Sequence, residues 1–432
     1  MARIGEDFPQ TREARKRILK QIREESKPVG TFKVPGYGRM NVYRIPLTAL
    51  SYNPYNTRFL AQAKTLEKRL GRKLDDEKPE DLIEIEQFIW DEKPDKNANT
   101  IDSLCANGQL EPGVVTIDGV ILSGNRRFRM INEITRNHNK YGYNDDLNYF
   151  EAVILENELT EKEIVRYESF FTYGMGEKVE YDAIQKYIAA EEQHNLGLTD
   201  KEIADNFSQL TEGGNEKIVK KWLIVFGLMK EYLVYIGEEG IYTALKGTEE
   251  SFLKLNDNLK SLRTGKAGRT IWAFSEDDLD DLKCIFFDYI RMGIGTHDFR
   301  DFLEIFSDQE RWKKFRGEVN QVVEENRVES FETYREEHPN SGEKEISEMR
   351  KNDYVKKNDK LKKIYGREKA VNINQKVEET PMKLIEDVQQ KLSKLEEELK
   401  NNGHKDAFAS QEFYDAVRDV MSRIGKIKQK ID

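Results

Sequence analysis

The chain has 432 residues, more than one hydrophobic core serves, so two or three domains are expected. Charged residues make up 35% and the formal net charge is −10, which points to a soluble, helix-rich protein and excludes one that is basic throughout. Charge acts locally, so basic faces remain open to such a chain. Its two cysteines, Cys105 and Cys284, have no CxxC spacing, and its five histidines are dispersed; neither a disulfide framework nor a zinc site is expected. The first residues lack an apolar signal core, and apolar runs such as 284–287 are far too short to span a bilayer. A cytoplasmic protein without a membrane partner is expected.

In chain order, the 1–30 segment contains a basic amphipathic helix over residues 9–27. Ile18 and Ile22 share a stripe among Arg12, Arg15, Lys16 and Arg17, and Pro28 and Gly30 stop the helix. A peripheral packing helix is preferred over a basic arm on phosphate. Within 31–160, Val42 to Leu47 reads as a strand, and Asn53-Pro54-Tyr55-Asn56 as a turn. Residues 61–100 read as a charged helical insertion without a motif. A short helix then stops at Asn107-Gly108 in the left-handed manner. Two β-prone runs flank Asp118-Gly119, the signature of a type I′ hairpin. After Ser123-Gly124, a helix from Asn125 to about Arg136 carries the stripe Phe128, Ile131, Ile134. A strand at Phe150 to Leu155 and helices from Glu161 and Val179 follow.

Residues 161–230 contain a helix–turn–helix pattern. Thr199 and Glu202 form a capping box ahead of Ile203, Ala204 and Phe207. A Gly213-Gly214-Asn215 turn, longer than usual, precedes a helix with Ile218, Val219, Trp222 and Leu223. Residues 231–340 read as an α-helical domain. There Gly293 and Gly295 precede Phe299, Phe302, Leu303 and Phe306, read as a loop and a core helix. Residues 341–370, with Lys356, Lys357, Lys360, Lys362 and Lys363, read as a basic linker, either a nucleic-acid tether or, at least as readily, a solvated helix. Residues 371–432 read as a helical hairpin with two heptad stripes: Ile385, Val388, Leu392, Leu395 and Leu399, then Phe413, Val417, Val420, Ile424 and Ile427. Such short helices need a partner, and a homodimer supplies one; folding back on the chain is the alternative. The fold class is therefore α+β: a small mixed domain followed by a mostly α-helical remainder.

The chemical candidate is Gly124-Asn125-Arg126-Arg127-Phe128-Arg129. A strand ends, a glycine turns the chain, and a helix begins with its unpaired N–H groups and partial positive charge. Glycine admits a phosphate close to the backbone, and arginines add bidentate contacts. Arginines at a helix N-terminus oppose the macrodipole, and a bound di- or triphosphate, or a DNA phosphate, gives them a reason. Ordinary surface charges are the alternative.

With these residues in view, the sequence resembles the ParB/sulfiredoxin superfamily over roughly residues 40–230. Three blocks fall in the family's order: Val42 to Leu47 followed by Asn53-Pro54-Tyr55-Asn56-Thr57-Arg58; Gly108-Gln109-Leu110-Glu111-Pro112 followed by Val114-Val115; and Gly124-Asn125-Arg126-Arg127. The helix–turn–helix sits where ParB proteins carry theirs. The resemblance implies a nucleoside triphosphate, CTP or ATP, with Mg2+. It places Gly108 and Leu110 near the nucleotide, and Gly124, Asn125, Arg126 and Arg127 at its phosphates. The family's E-N-x-x-R box reads here Glu168-Ser169-Phe170-Phe171-Thr172, which keeps Glu168 as a candidate catalytic and metal-side carboxylate but lacks the Asn and Arg. Sulfiredoxin's cysteine is absent from Leu122-Ser123-Gly124-Asn125, so sulfinic acid reduction is not expected. The implied function is a DNA-binding protein with a nucleotide switch, in plasmid or phage DNA maintenance or regulation. In that role Lys217, Lys220 and Lys221 would meet phosphates of double-stranded DNA, while Asn215 or Glu216 approaches bases. One alternative is a nuclease or NTP hydrolase in phage defence, with Glu168, Glu177, Glu180 and Asp182 on magnesium. Another is a scaffold subunit of a larger complex.

Overall fold

A computed structural model describes residues 11–142, 145–174, 183–265, 270, 272–400 and 408–431. Alternating apolar positions build its sheet. Strand β1 (Gly30–Val34) pairs antiparallel with β2 (Gly38–Pro46), and β2 pairs antiparallel with β5 (Tyr149–Ile154). Strand β3 (Gly113–Val115) runs parallel to β5 and antiparallel to β4 (Ile121–Ser123). The order is β1-β2-β5-β3-β4. Successive residues serve opposite faces, as the strand period of two requires. Tyr43, Val115, Ile121, Ala152 and Ile154 join one apolar cluster; Val42, Val114, Leu122 and Val153 join another. Both faces are thus covered by helices, and the molecule is α+β with a helical remainder.

The expected hairpin forms, with a different turn. Gly119 N donates to Thr116 O at 3.0 Å and Thr116 N to Val120 O at 2.9 Å, and only Gly119 has positive φ, at 83°. This is a type I turn followed by a bulged glycine, not the two-residue type I′ turn. A Cβ on Gly119 would collide with the Ala49 carbonyl. Ser51 N donates to Gly119 O at 2.8 Å, and Ile121 N donates to Ser51 O at 3.0 Å. These bonds fix the segment after β2 beside β4.

The 61–100 stretch is helical, yet it is no peripheral insertion. Helices Leu60–Leu70, Pro79–Glu92 and Pro94–Asn107 send Ala63, Leu66, Leu82, Ile85, Ile89 and Leu104 into the sheet's main core. The stripe Phe128, Ile131, Ile134 of the Asn125–Arg136 helix meets them, as its spacing predicts. The Arg12–Glu25 helix packs on the same layer. Its Leu19 and Arg15 are fully buried, Arg15 pairing with Asp76 and donating from Nε to Asp118 O at 2.8 Å.

Helices Ala183–Asn195, Asp200–Asn206 and Glu216–Tyr235 follow. The Thr199–Glu202 capping box is present, and Phe207 meets Trp222 edge-on at 5.6 Å. Farther on, Phe299, Phe302 and Phe306 are fully buried against an aromatic core that includes Phe286, Tyr289 and Phe315. Ile305 is buried in the place expected of Leu303.

The basic 341–370 stretch is largely helical, the alternative to a tether, but it is not solvated on every face. In the Glu343–Lys357 helix, Ile346, Arg350 and Tyr354 are buried, four residues apart, and the lysines occupy the other faces. Ser347 and Arg350 hold Glu238, and Tyr354 donates to Asp288 at 2.7 Å. The chain divides instead at Leu361.

The C-terminal unit, residues 362–432, is helical up to Lys400 and again over Gln411–Ile431. The expected turn at 401–403 lies outside the described residues. Ile385, Val388, Leu392, Leu399, Val417, Val420, Ile424 and Ile427 are all exposed. Among the described residues, no helix is long and apolar enough to cross a membrane.

Candidate functional site

Gly124 ends β4 with φ 104°, and a Cβ there would come within 2.9 Å of the Phe150 ring. The helix that follows has no side-chain cap. Asn125 instead reaches backwards: its Nδ2 donates to Ile121 O at 2.8 Å and its Oδ1 accepts from Asn53 N at 3.2 Å. Asn53 in turn donates from Nδ2 to Glu168 Oε2 at 3.0 Å. Thr57 N and Thr172 Oγ1 donate to Glu168 Oε1 at 3.3 and 3.2 Å. One buried network therefore joins the Asn53 block, the start of the Asn125–Arg136 helix and the Glu161–Ser169 helix. Burial pushes the Glu168 carboxyl up to about 7, against the opposing pull of Asn53.

This geometry suits a carboxyl that positions neighbouring segments. It does not fit a magnesium ligand, because Glu168 is 1% exposed and both its oxygens already accept hydrogen bonds. Among the described residues, no group of three or more His, Cys, Asp or Glu is placed to hold a metal. Glu177, Glu180 and Asp182 lie outside the described residues.

Four of the expected nucleotide residues meet at one cleft of about 450 Å³: Gly108, Leu110, Arg126 and Arg127. Gly124 and Asn125 lie behind it, shaping the turn. Gly108 has φ 70° but ψ −163°, so it is not the expected left-handed stop; this backbone region is open essentially to glycine alone. Leu110 is 72% exposed. Arg127 donates to Glu111 O at 2.7 Å and to Glu111 Oε2 at 2.9 Å, and burial lowers the pKa of its guanidinium against the pull of Glu111. Arg126 pairs with Glu92. Arg129 turns away, bonding Glu133 at 3.0 Å and lying over the Trp90 ring at 4.9 Å.

Sequence reasoning missed the opposite wall. Lys96, Asn99, Thr100 and Ser103 come from the Pro94–Asn107 helix, inside the segment read as motif-free. Their three- and four-residue spacing, beside the buried stripe Asn97, Ile101, Leu104, marks one polar face of that helix, and Leu104 itself reaches the cleft. The cleft thus holds three cationic side chains and two hydroxyls, against Glu111. An entering phosphate can replace carboxylate as the partner of Arg126 and Arg127 with equivalent bidentate geometry.

The helix–turn–helix residues lie apart from this cleft. Asn215 caps the Glu216–Tyr235 helix, accepting from Lys217 N at 3.1 Å. Lys217, Lys220 and Lys221 are exposed, but Lys220 pairs with Glu216 at 2.9 Å and Lys221 with Asp257 at 3.2 Å. Lys201 and Asp205 pair at 2.7 Å, and Lys201 also reaches Gly214 O at 3.0 Å. The face is of mixed charge. No protein-family model, curated protein or solved structure matches the chain.

Proposed function

We propose that this is a ParB/sulfiredoxin-like protein in which a nucleoside triphosphate, CTP or ATP, switches double-stranded DNA binding by the helix–turn–helix, in plasmid or phage DNA maintenance or regulation. The observation that carries the reading is the convergence of Gly108, Leu110, Arg126 and Arg127 on one cleft of small-ligand size. Phosphates would take Arg126 and Arg127 from Glu92 and Glu111, and exposed Leu110 would cover an apolar part of the ligand. Asn125, Asn53 and Glu168 then supply a physical path from that helix to the segment leading into the helix–turn–helix. Exposed heptad stripes in residues 362–432 support a homodimer. The hydrolase alternative is not adopted, because the Glu168 oxygens are already held by Asn53, Thr57 and Thr172.

Fluorescence anisotropy with labelled duplex DNA tests the switch. A change of about tenfold or more in DNA affinity on adding CTP or ATP, absent in Arg126→Ala/Arg127→Ala, is the expected result. DNA affinity indifferent to every nucleotide would overturn it.

A further inference from the structure

A larger cleft of about 650 Å³ lies elsewhere in the unit that ends at Leu361. One wall comes from the helices Leu60–Leu70 and Pro79–Glu92, the other from the segments around Thr243 and Gly342. It adjoins the smaller cleft: Glu92 lines the larger one, while its ion-pair partner Arg126 lines the smaller.

The charges of this cleft are unevenly committed. Glu84 and Glu343 lie against Arg69 at 3.8 and 3.4 Å, and Glu92 is held by Arg126. Lys246 is exposed and makes no ion pair among the described residues. The carboxylate nearest Lys344 is Glu348, at 4.0 Å. Arg58 and Lys93 add two further cations to the lining. Three of the four lining acids are thus paired with arginines, while the fourth, Asp91, accepts from Gln87 Nε2 at 2.8 Å, and exposed Lys246 and Lys344 make their side of the opening cationic.

Two further features narrow the ligand. Leu66 and Phe88 provide an apolar floor, Phe88 being braced from behind by Phe59 at 5.8 Å between ring centroids. Thr243 Oγ1 is buried and has no hydrogen-bond partner among the described residues, although Thr243 lines the cleft and its N–H donates to Thr65 Oγ1 at 3.4 Å. A buried hydroxyl without a partner costs free energy, and a ligand oxygen would supply the missing bond.

We infer that the larger cleft binds a small phosphorylated organic molecule, its phosphate at Lys246 and Lys344 and its apolar part on Phe88. The inference goes beyond the nucleotide reading of the smaller cleft and does not depend on it. Adenosine monophosphate is the probe, titrated calorimetrically into the full chain carrying Arg127→Ala, which disables the smaller cleft. Saturable binding is expected, weakened tenfold or more by adding Lys246→Glu/Lys344→Glu, two exposed positions whose exchange leaves the core intact. Thr243→Val is expected to weaken it about threefold without lowering the melting temperature, since the hydroxyl it removes has no partner in the ligand-free chain. Absence of adenosine monophosphate binding in the Arg127→Ala chain, or binding unmoved by the lysine exchanges, would overturn the inference.

Discussion

The cleft arginines and the helix–turn–helix lysines both stand in the first turns of a helix, and the fold treats them differently. Arg126 is largely buried against Glu92, in a wall whose other side is core. Lys217, Lys220 and Lys221 stand in solvent, where their pairs with Glu216 and Asp257 are screened. A guanidinium held at a cleft by replaceable carboxylates is organised for an anion before the anion arrives. A solvated lysine offers only long-range attraction, of the kind that carries sequence-independent phosphate contact. On the proposed reading, precise recognition therefore falls to the cleft, and the solvated lysines supply attraction without orientation.

The sharpest way to break this contrast is to loosen what holds the cleft's helix. Asn53→Ala removes the side-chain donor to buried Glu168, leaving only the Asn53 backbone N–H on Asn125, and should cost about 3 kcal/mol in chemical denaturation. A loss below roughly 1 kcal/mol would mean that the network is incidental.

Slightly smaller is the pH effect of Glu168. Its carboxyl is raised by burial to about 7, so its stabilising protonated form is fully present below the unfolded value of 4.5 and is lost as pH rises through 7. Stability should therefore fall by roughly 2 to 3 kcal/mol between about pH 5 and 8 from this group alone. Thermal melts of Glu168→Gln across that range should be flatter than those of the parent chain; parallel curves would remove the buried carboxyl from the account.

Smaller again are the lysines. Replacing Lys217, Lys220 and Lys221 together by Ala should reduce DNA affinity about tenfold at low salt and flatten its salt dependence, with little change between DNA sequences. Lys220→Ala alone should leave the urea midpoint of unfolding unchanged, since its pair with Glu216 is exposed.

What the sequence made legible was local. The Phe128, Ile131, Ile134 stripe, the Thr199 capping box and the Asp118-Gly119 hairpin each depend on neighbours within a few residues, and each is present. Strand β1 was missed because its five residues, with Lys33 among them, lie between a proline and a glycine turn and show no strong alternation. The helix at 343–357 was read as linker because charged and polar residues fill most of it, while Ile346, Arg350 and Tyr354 reveal themselves only at helical spacing. In the cleft, the motif blocks located Gly108, Leu110, Arg126 and Arg127. The wall carrying Lys96 and Ser103 stayed hidden, because a polar helix face reads alike whether it meets solvent or a binding site. The partners Glu92 and Glu111 followed from neither, since ion pairing across distant segments is decided by the fold.

The smaller cleft is proposed to hold a nucleotide through Arg126 and Arg127. Equilibrium binding of labelled CTP, ATP and GTP to the full chain, beside Arg126→Ala/Arg127→Ala, tests it most directly. Saturable binding of CTP or ATP, weakened about a hundredfold in the double variant, is the result expected from two charge-assisted contacts. Binding of no nucleotide, or binding that the double variant retains in full, would contradict it.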